Sequence, residues 1–308
     1  LILKINYWNL NDLMKFITIV NPFSGKRKSI QIFDKINPIF NSKNIELHKI
    51  VTKFKGHAVE LIQKTNLNIY DGVIIIGGDG TFHEAINGML NRHDKKKIPI
   101  GIIPGGSGNS FMMDLNLTNP IEAAYKIINL KKRSIDITKI YMQKKLLYSI
   151  NLVGWGMVTD VGIRSENYRF IGPLRYTIAS IIEIIFKKNR KALLEINGEK
   201  IQQEFTFIVA CNSINIGKGM KMAPKAKIDD GLIDVITVDG NIKRKRLLKV
   251  LPKLFTGDHI YEPEVNYYQT NKFSITSINK DLLNIDGEII GSTPFKVEII
   301  PKAIQVFN

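Results

Sequence analysis

Short apolar runs alternate with helix-period stretches through the first hundred residues. Phe16–Val20, Ile45–Val51, Gly72–Ile76 and Ile98–Ile103 read as strands. Lys28–Phe40, His57–Thr65 and a segment from about Thr81 to Leu90 read as helices between them. Strand and helix in alternation require crossovers, so this part predicts an α/β unit with a parallel sheet. After about Arg133 the texture changes. Strand-like stretches follow one another at Ile135–Gln143, Lys145–Val153, Lys191–Ile196, Gln202–Ala210, Leu232–Val238, Asn271–Ile278, Asp281–Asp286 and Phe295–Ile300. Helical pattern interrupts them only near Pro173–Lys188 and Lys243–Phe255. This second part predicts an antiparallel β domain, with the boundary set by the change of period.

At 308 residues the chain has room for two modest cores. Its single cysteine, Cys211, excludes an internal disulfide framework and suits a reducing compartment. The longest apolar run, Tyr176 to Phe186, is too short to span a bilayer and contains Glu183. Met14 stands directly before the first strand, and residues 1–13 are expected to be an extension outside the folded domain. Lys and Arg number 44 against 28 Asp and Glu, a net charge of +16. That balance favours an anionic partner: nucleotide, nucleic acid or acidic lipid. The basic clusters at 95–97, 131–133, 187–191 and 243–246 are scattered, and no nucleic-acid recognition module accompanies them.

Chemistry concentrates in three turns. Gly77-Gly78-Asp79-Gly80-Thr81 follows an apolar strand and precedes a helix, and its glycines let backbone amides approach phosphate oxygens. Thr81 and Glu84 have the spacing of a capping box, which would place a helix N-terminus at that spot. Asp79 is a carboxylate in a phosphate-receiving turn, suited to act as base toward an attacking hydroxyl or to hold water on a cation. Pro104-Gly105-Gly106-Ser107-Gly108-Asn109-Ser110 repeats that geometry after the next strand. Asn21-Pro22-Phe23-Ser24-Gly25-Lys26-Arg27-Lys28 closes the first strand; Val20 stands where a Walker A loop requires glycine. Loops after neighbouring parallel strands share one edge, where ligands collect.

The order of these motifs resembles the diacylglycerol kinase and sphingosine kinase superfamily of lipid kinases. The resemblance continues through GWGMVTDVGIRSENYRFIGPLRY (154–176), MAPKAKIDDGLIDV (222–235) and IDGEIIG (285–291). It implies an NAD kinase/diacylglycerol kinase-like α/β domain over 14–134 that binds ATP, joined by a C-terminal strand within 301–308. It also implies a lipid-binding β-sandwich over 135–300. By the same resemblance Asp79 is the catalytic carboxylate. Asn21, Ser24, Lys26, Lys28, Thr52, Gly78, Gly80, Thr81, Ser107, Gly108, Arg169, Arg175, Asp286 and Glu288 are the nucleotide-binding set, with Mg²⁺ on the nucleotide. Asp160, Trp155, Met157, Ile163 and Leu174 are the expected lipid contacts. Asp230 is a candidate ligand for a structural metal. Gly162 stands where sphingosine kinases carry an amine-binding aspartate, so the lipid stays open among diacylglycerol, sphingoid base and ceramide.

The activity implied is transfer of the γ-phosphoryl group of Mg·ATP to a lipid hydroxyl. A cytoplasmic location peripheral to an anionic membrane follows, with no nucleic-acid partner and a homodimer left open. An NAD kinase-like enzyme and a catalytically silent lipid-binding protein are the rival readings.

Overall fold

The computed structural model describes residues 13–308 except Ser107, Lys144 and Lys218, with Lys26, Arg169 and Pro173 described by backbone alone. Most of the expected extension, residues 1–12, lies outside the described residues.

Four strands form the parallel part: β1 (Met14–Val20), β2 (Ile45–Val51), β3 (Gly72–Gly77) and β4 (Ile100–Pro104), in the order β2-β1-β3-β4. β3 and β4 are buried along their whole length, as strands covered on both faces must be. The covering helices are α1 (Ser29–Asn41), α2 (His57–Lys64), α3 (Asp79–Leu90), the short α4 (Ser110–Asp114) and α5 (Pro120–Ile128). They pack in pairs, α1 with α5 and α2 with α3. The strand-period reading overlooked α4 and α5. α5 has a clear start: the Asn119 side chain accepts from the Ile121 and Glu122 amides, and Pro120 occupies the first helical turn.

The second part opens with β5 (Lys132–Met142), β6 (Lys145–Ser149) and β7 (Leu152–Gly156). Next come α6 (Met157–Glu166), a 3₁₀ segment at Arg169–Leu174, and α7 (Arg175–Ile185). β8 (Arg190–Ile196), β9 (Glu199–Cys211), β10 (Ile233–Asp239) and α8 (Arg244–Val250) follow. The chain ends with β11 (Val265–Thr270), β12 (Lys272–Ser277), β13 (Leu282–Ile285), β14 (Glu288–Ser292) and β15 (Phe295–Phe307). Every pairing among the strands of this part is antiparallel. α6, β11 and β14 are additions to the sequence-based expectation. α6 begins where Gly156, at φ 82°, turns the chain out of β7.

β5 and β15 run antiparallel from Lys132↔Phe307 to Met142↔Phe295 and join the two parts. At one end Val306 of β15 pairs with Ile100 of β4; at the other β15 pairs with β12. Phe307 stacks on Phe16 with ring centroids 5.5 Å apart, so the last strand completes the core of the first part.

Candidate active site

All four parallel strands end at one edge, at Val20, Val51, Gly77 and Pro104, and the glycine-rich loops leave from there. The loops interlock backbone to backbone. The Gly105 amide donates to the Gly77 carbonyl at 2.7 Å. A Cβ at Gly106 would lie 2.4 Å from Gly78 Cα, and one at Gly25 would lie 1.8 Å from the Gly105 carbonyl oxygen. No side chain fits at either place. Gly80 differs: nothing lies within 4 Å of the position its Cβ would take. Open space beside the first turn of a helix, whose leading amides lack intrahelical partners, suits an anion.

Asn21 is held within this floor. Its amide donates to Ile76 O at 3.0 Å, its Nδ2 to Thr81 Oγ1 at 2.9 Å, and its Oδ1 accepts from the Phe23 amide at 3.0 Å. Ser24 Oγ is 3.6 Å from the Cβ position of Gly78, and Gly108 has the same relation to Asp79 Oδ2 at 3.7 Å. Thr52 is buried beside the end of β1, its amide donating to Val20 O at 2.9 Å. Lys28 is exposed just before α1. Ser107 and the side chain of Lys26 lie outside the described residues. The list of expected contacts omitted Asn109, although its motif contains it. Its Nδ2 donates to Gly106 O at 3.0 Å, while its buried Oδ1 has no partner among the described residues.

The capping box does not form. α3 begins at Asp79 with Gly78 at its N-cap. Glu84 instead accepts from the Gly56 amide at 2.8 Å and the Ala58 amide at 3.2 Å, capping α2. The packing of α2 on α3 brings these amides closer to the carboxylate than the start of its own helix.

Asp79 is thus the first residue of α3. Its Oδ2 accepts from the Ser110 amide at 2.6 Å and its Oδ1 from the Phe111 amide at 3.3 Å. The carboxylate caps α4 and is fixed in orientation by it. Burial pushes its pKa up to about 6; the two amides oppose the rise, and the charges of Asp286 and Asp114 add to it. A carboxylate poised there accepts a proton readily near neutrality.

Asp286, expected from the sequence to contact the nucleotide, has its carboxylate taken up by groups of the protein itself. It is fully enclosed. Oδ1 accepts from Ser149 Oγ at 2.7 Å and from the amides of Asn151 and Leu152, each at 2.9 Å. Oδ2 accepts from the Ile150 amide at 2.9 Å and from His83 Nδ1 at 2.6 Å. Five donors saturate the carboxylate. Burial alone would raise its pKa, but His83 and the backbone amides hold it below the ordinary range. Burial likewise opposes protonation of His83, yet Asp286 together with Glu288 and Glu84 raises its pKa. Two residues on, Glu288 is half-buried and ion-paired with exposed Lys55.

The remaining expected contacts divide. Arg175 donates through Nη2 to Tyr176 OH at 2.7 Å, and its Nη1 lies 3.5 Å from Glu166 Oε1. The Tyr176 ring is 4.0 Å from the Cβ position of Gly217, whose carbonyl accepts from Ser110 Oγ, so the start of α7 approaches the start of α4. The Arg169 side chain lies outside the described residues. Asp160 makes two 2.9 Å bonds to Arg190 Nη2, and burial raises its pKa despite that partner. Gly162 is pressed on Asn284, whose Nδ2 lies 2.6 Å from the Cβ position, so a larger residue there must displace Asn284.

Trp155 does not line a pocket; it is fully buried between the sheets against Phe205, its Nε1 donating to Asp281 Oδ2 at 3.1 Å. Met157 is also core, packed in the cluster that includes Ile184 and Phe207. Both were drawn to the site by their motif, but the inward pleat of β7 and the inner face of α6 claim them. Ile163 and Leu174 are exposed. Asp230 closes a turn by accepting from the Leu232 amide at 3.0 Å. Among the described residues no group of three or more His, Cys, Asp or Glu is gathered at Asp230 or elsewhere.

Comparison with known proteins accords with this geometry. The model of the YegS C-terminal NAD kinase beta sandwich-like domain matches residues 151–308, and that of the diacylglycerol kinase catalytic domain matches residues 15–140. Sphingoid long chain base kinase 4 of Schizosaccharomyces pombe is 29% identical over 349 residues, covering 98% of this chain and 76% of the relative. A diacylglycerol kinase of Staphylococcus carnosus is 27% identical, covering 94% of each chain. The solved structure of a diacylglycerol kinase from Bacillus anthracis shares the fold at TM-score 0.73 and 20% identity, covering 95% of this chain and 96% of that one.

Proposed function

The chain belongs to the diacylglycerol kinase and sphingosine kinase superfamily and is a lipid kinase, and from that membership we propose that it transfers the γ-phosphoryl group of ATP to a hydroxyl of a membrane lipid of the diacylglycerol, sphingoid-base or ceramide type. The observation that carries this reading is Asp79: a carboxylate oriented by two amides, with a pKa near 6, beside the open first turn of α3.

Three features of the site fit a nucleotide. The space at Gly80 is open, the Asp79 and Gly80 amides precede the first internal bonds of α3, which Thr81 and Phe82 make to Gly78 O, and Asn109 Oδ1 is a buried acceptor with no partner among the described residues. Gly78, Gly80 and Gly108 would present backbone to the phosphates, with Ser24 and Lys28 beside them. Mg²⁺, when bound with the nucleotide, would neutralise phosphate charge, and Glu288, half-buried and paired only with exposed Lys55 among the described residues, would be the carboxylate to hold it.

In the reaction the lipid oxygen attacks Pγ as its proton passes to Asp79. The new O–P bond forms while the bond from Pγ to the departing ADP oxygen breaks. Asp79 is held in place before the substrate arrives, so little reorganisation accompanies proton transfer. General-base assistance of this kind contributes about 10²–10⁴-fold. The test is a labelled-ATP screen over diacylglycerol, monoacylglycerol, ceramide, sphingosine and undecaprenol, with NAD as a control acceptor. Label in a lipid supports the reading; label in NAD alone, or in none, removes it.

A further inference from the structure

Asp114 is the last residue of α4 and belongs to none of the glycine-rich turns. The dipole of a helix opposes a carboxylate at its C-terminal end, yet Asp114 is half-buried and bonded from outside its own helix. Its Oδ1 accepts from Asn215 Nδ2 at 2.6 Å, and its Oδ2 from the Ile214 amide at 2.8 Å and the Asn215 amide at 3.4 Å. All three donors stand in the segment that follows β9, so they belong to the β domain. At the other end of α4, Ser110 Oγ donates to Gly217 O of the same segment. Both ends of this short helix are therefore fastened across the two parts of the molecule.

The segment is anchored in turn. Ser213 Oγ donates to Asn151 Oδ1 at 2.6 Å, and Asn151 Nδ2 donates to Asn215 O at 3.1 Å. The Asn151 amide donates to Asp286 Oδ1, and Asp286 meets His83 on the helix that carries Asp79. The contacts close into a ring. Asp79 holds the start of α4, Asp114 at its end holds the 213–215 segment, and Asn151, Asp286 and His83 lead back to α3.

We propose that Asp114 is a positioning residue for phosphoryl transfer, anchoring α4 to the β domain and so holding the Ser110 and Phe111 amides on the Asp79 carboxylate. It acts through α4. Its part in the reaction rests on the lipid kinase reading; the clasp itself does not.

The link is electrostatic as well as mechanical. Asp286 faces Asp79 from the β domain and Asp114 from α4; both charges raise the Asp79 pKa, while the two amides lower it. Burial raises the pKa of Asp114 itself, and its hydrogen-bond donors, Asn215, Ser213 and Ile214, oppose that rise without carrying charge. Two substitutions separate charge from geometry. Asp114→Asn keeps the shape and removes the charge, so the Asp79 pKa should fall. Asp114→Glu keeps the charge and displaces the clasp by a methylene; looser amides stabilise the Asp79 carboxylate less, so its pKa should rise.

The experiment uses the full chain and measures the pH profile of kcat/KM with the lipid that the labelled-ATP screen identifies. Alongside it, the Ser110 and Phe111 amide proton resonances are titrated with pH; they report the ionisation of Asp79 without any substrate. Melting temperature is recorded for each protein. The acid limb and the amide midpoint are expected to move to lower pH in Asp114→Asn and to higher pH in Asp114→Glu. Asp114→Glu is also expected to lose about tenfold or more in kcat, with both amide resonances displaced at neutral pH. Wild-type profiles in both variants overturn the proposal. So do shifts in one direction only, or losses of activity that merely follow melting temperature. Should Asp114→Asn not fold, Asp114→Glu decides alone, and wild-type amide resonances and kcat in it overturn the proposal. If the midpoints move as expected but wild type phosphorylates no lipid, the clasp stands and the kinase reading falls.

Discussion

His83 Nδ1 lies 2.6 Å from Asp286 Oδ2, and that contact ties α3 to the β domain. His83 is one turn beyond Asp79 on α3, and Asp286 also gathers the amides of Ile150, Asn151 and Leu152. Asn87, a further turn along, pairs with both the amide and the carbonyl of Tyr148 at 3.1 and 2.9 Å. The position of Asp79 relative to the β domain is therefore set by the inner face of its own helix.

Asp286→Asn is expected to act on stability first. Removing one partner of a buried ion pair costs about 3–5 kcal/mol, so the melting temperature should fall by several degrees. The sign with pH follows from the two shifts. The lowered pKa of Asp286 contributes stability above the ordinary carboxylate value, lost as pH falls through the folded value. The raised pKa of His83 contributes below the ordinary imidazole value, lost as pH rises through the folded value. The gap between wild type and variant should be widest between those limits and narrow on both sides. An unchanged melting curve with weakened nucleotide binding would restore Asp286 to the nucleotide site.

Glu288→Gln should behave in the opposite way. Its side chain is half-buried and its partner Lys55 is exposed, so thermal melting should move little. Activity at limiting Mg²⁺ should fall about tenfold or more, with partial recovery at high Mg²⁺. Equal Mg²⁺ dependence in both proteins would remove Glu288 from that role.

The glycines of the loops supply a paired test. Gly106→Ala forces a Cβ to within 2.4 Å of Gly78 Cα and should lower both stability and nucleotide affinity. Gly80→Ala meets nothing within 4 Å and lies in a helix, where alanine is favoured by about 1 kcal/mol. It should melt at or above the wild-type temperature yet bind nucleotide more weakly. Full nucleotide affinity in Gly80→Ala would show that the open space is not the phosphate site.

The pH dependence of kcat/KM should report Asp79. As a base it must be ionised, so activity should hold above about pH 6 and fall tenfold per unit below it. A profile flat through that range would contradict a role for this carboxylate as base.

Much of the fold and the loop floor was legible because strand ends and glycine turns lie next to each other in the chain. What each carboxylate does was less legible, since it depends on partners far away in sequence. Asp286 and Glu288 flank one glycine, yet one meets His83 across 203 positions and the other Lys55 across 233. Glu84 matched a local capping rule but found nearer donors on α2. Trp155 and Asp160 lie in the same short motif, yet Trp155 is buried on β7 while Asp160, on α6, meets Arg190.

The most direct measurement is transfer of labelled γ-phosphate to the lipid panel by wild type and Asp79→Asn side by side, with melting temperature as control. A labelled lipid with wild type, and a loss of about 10²-fold or more in the variant at near-equal melting temperature, is the predicted result. Near-normal turnover by Asp79→Asn would contradict the account.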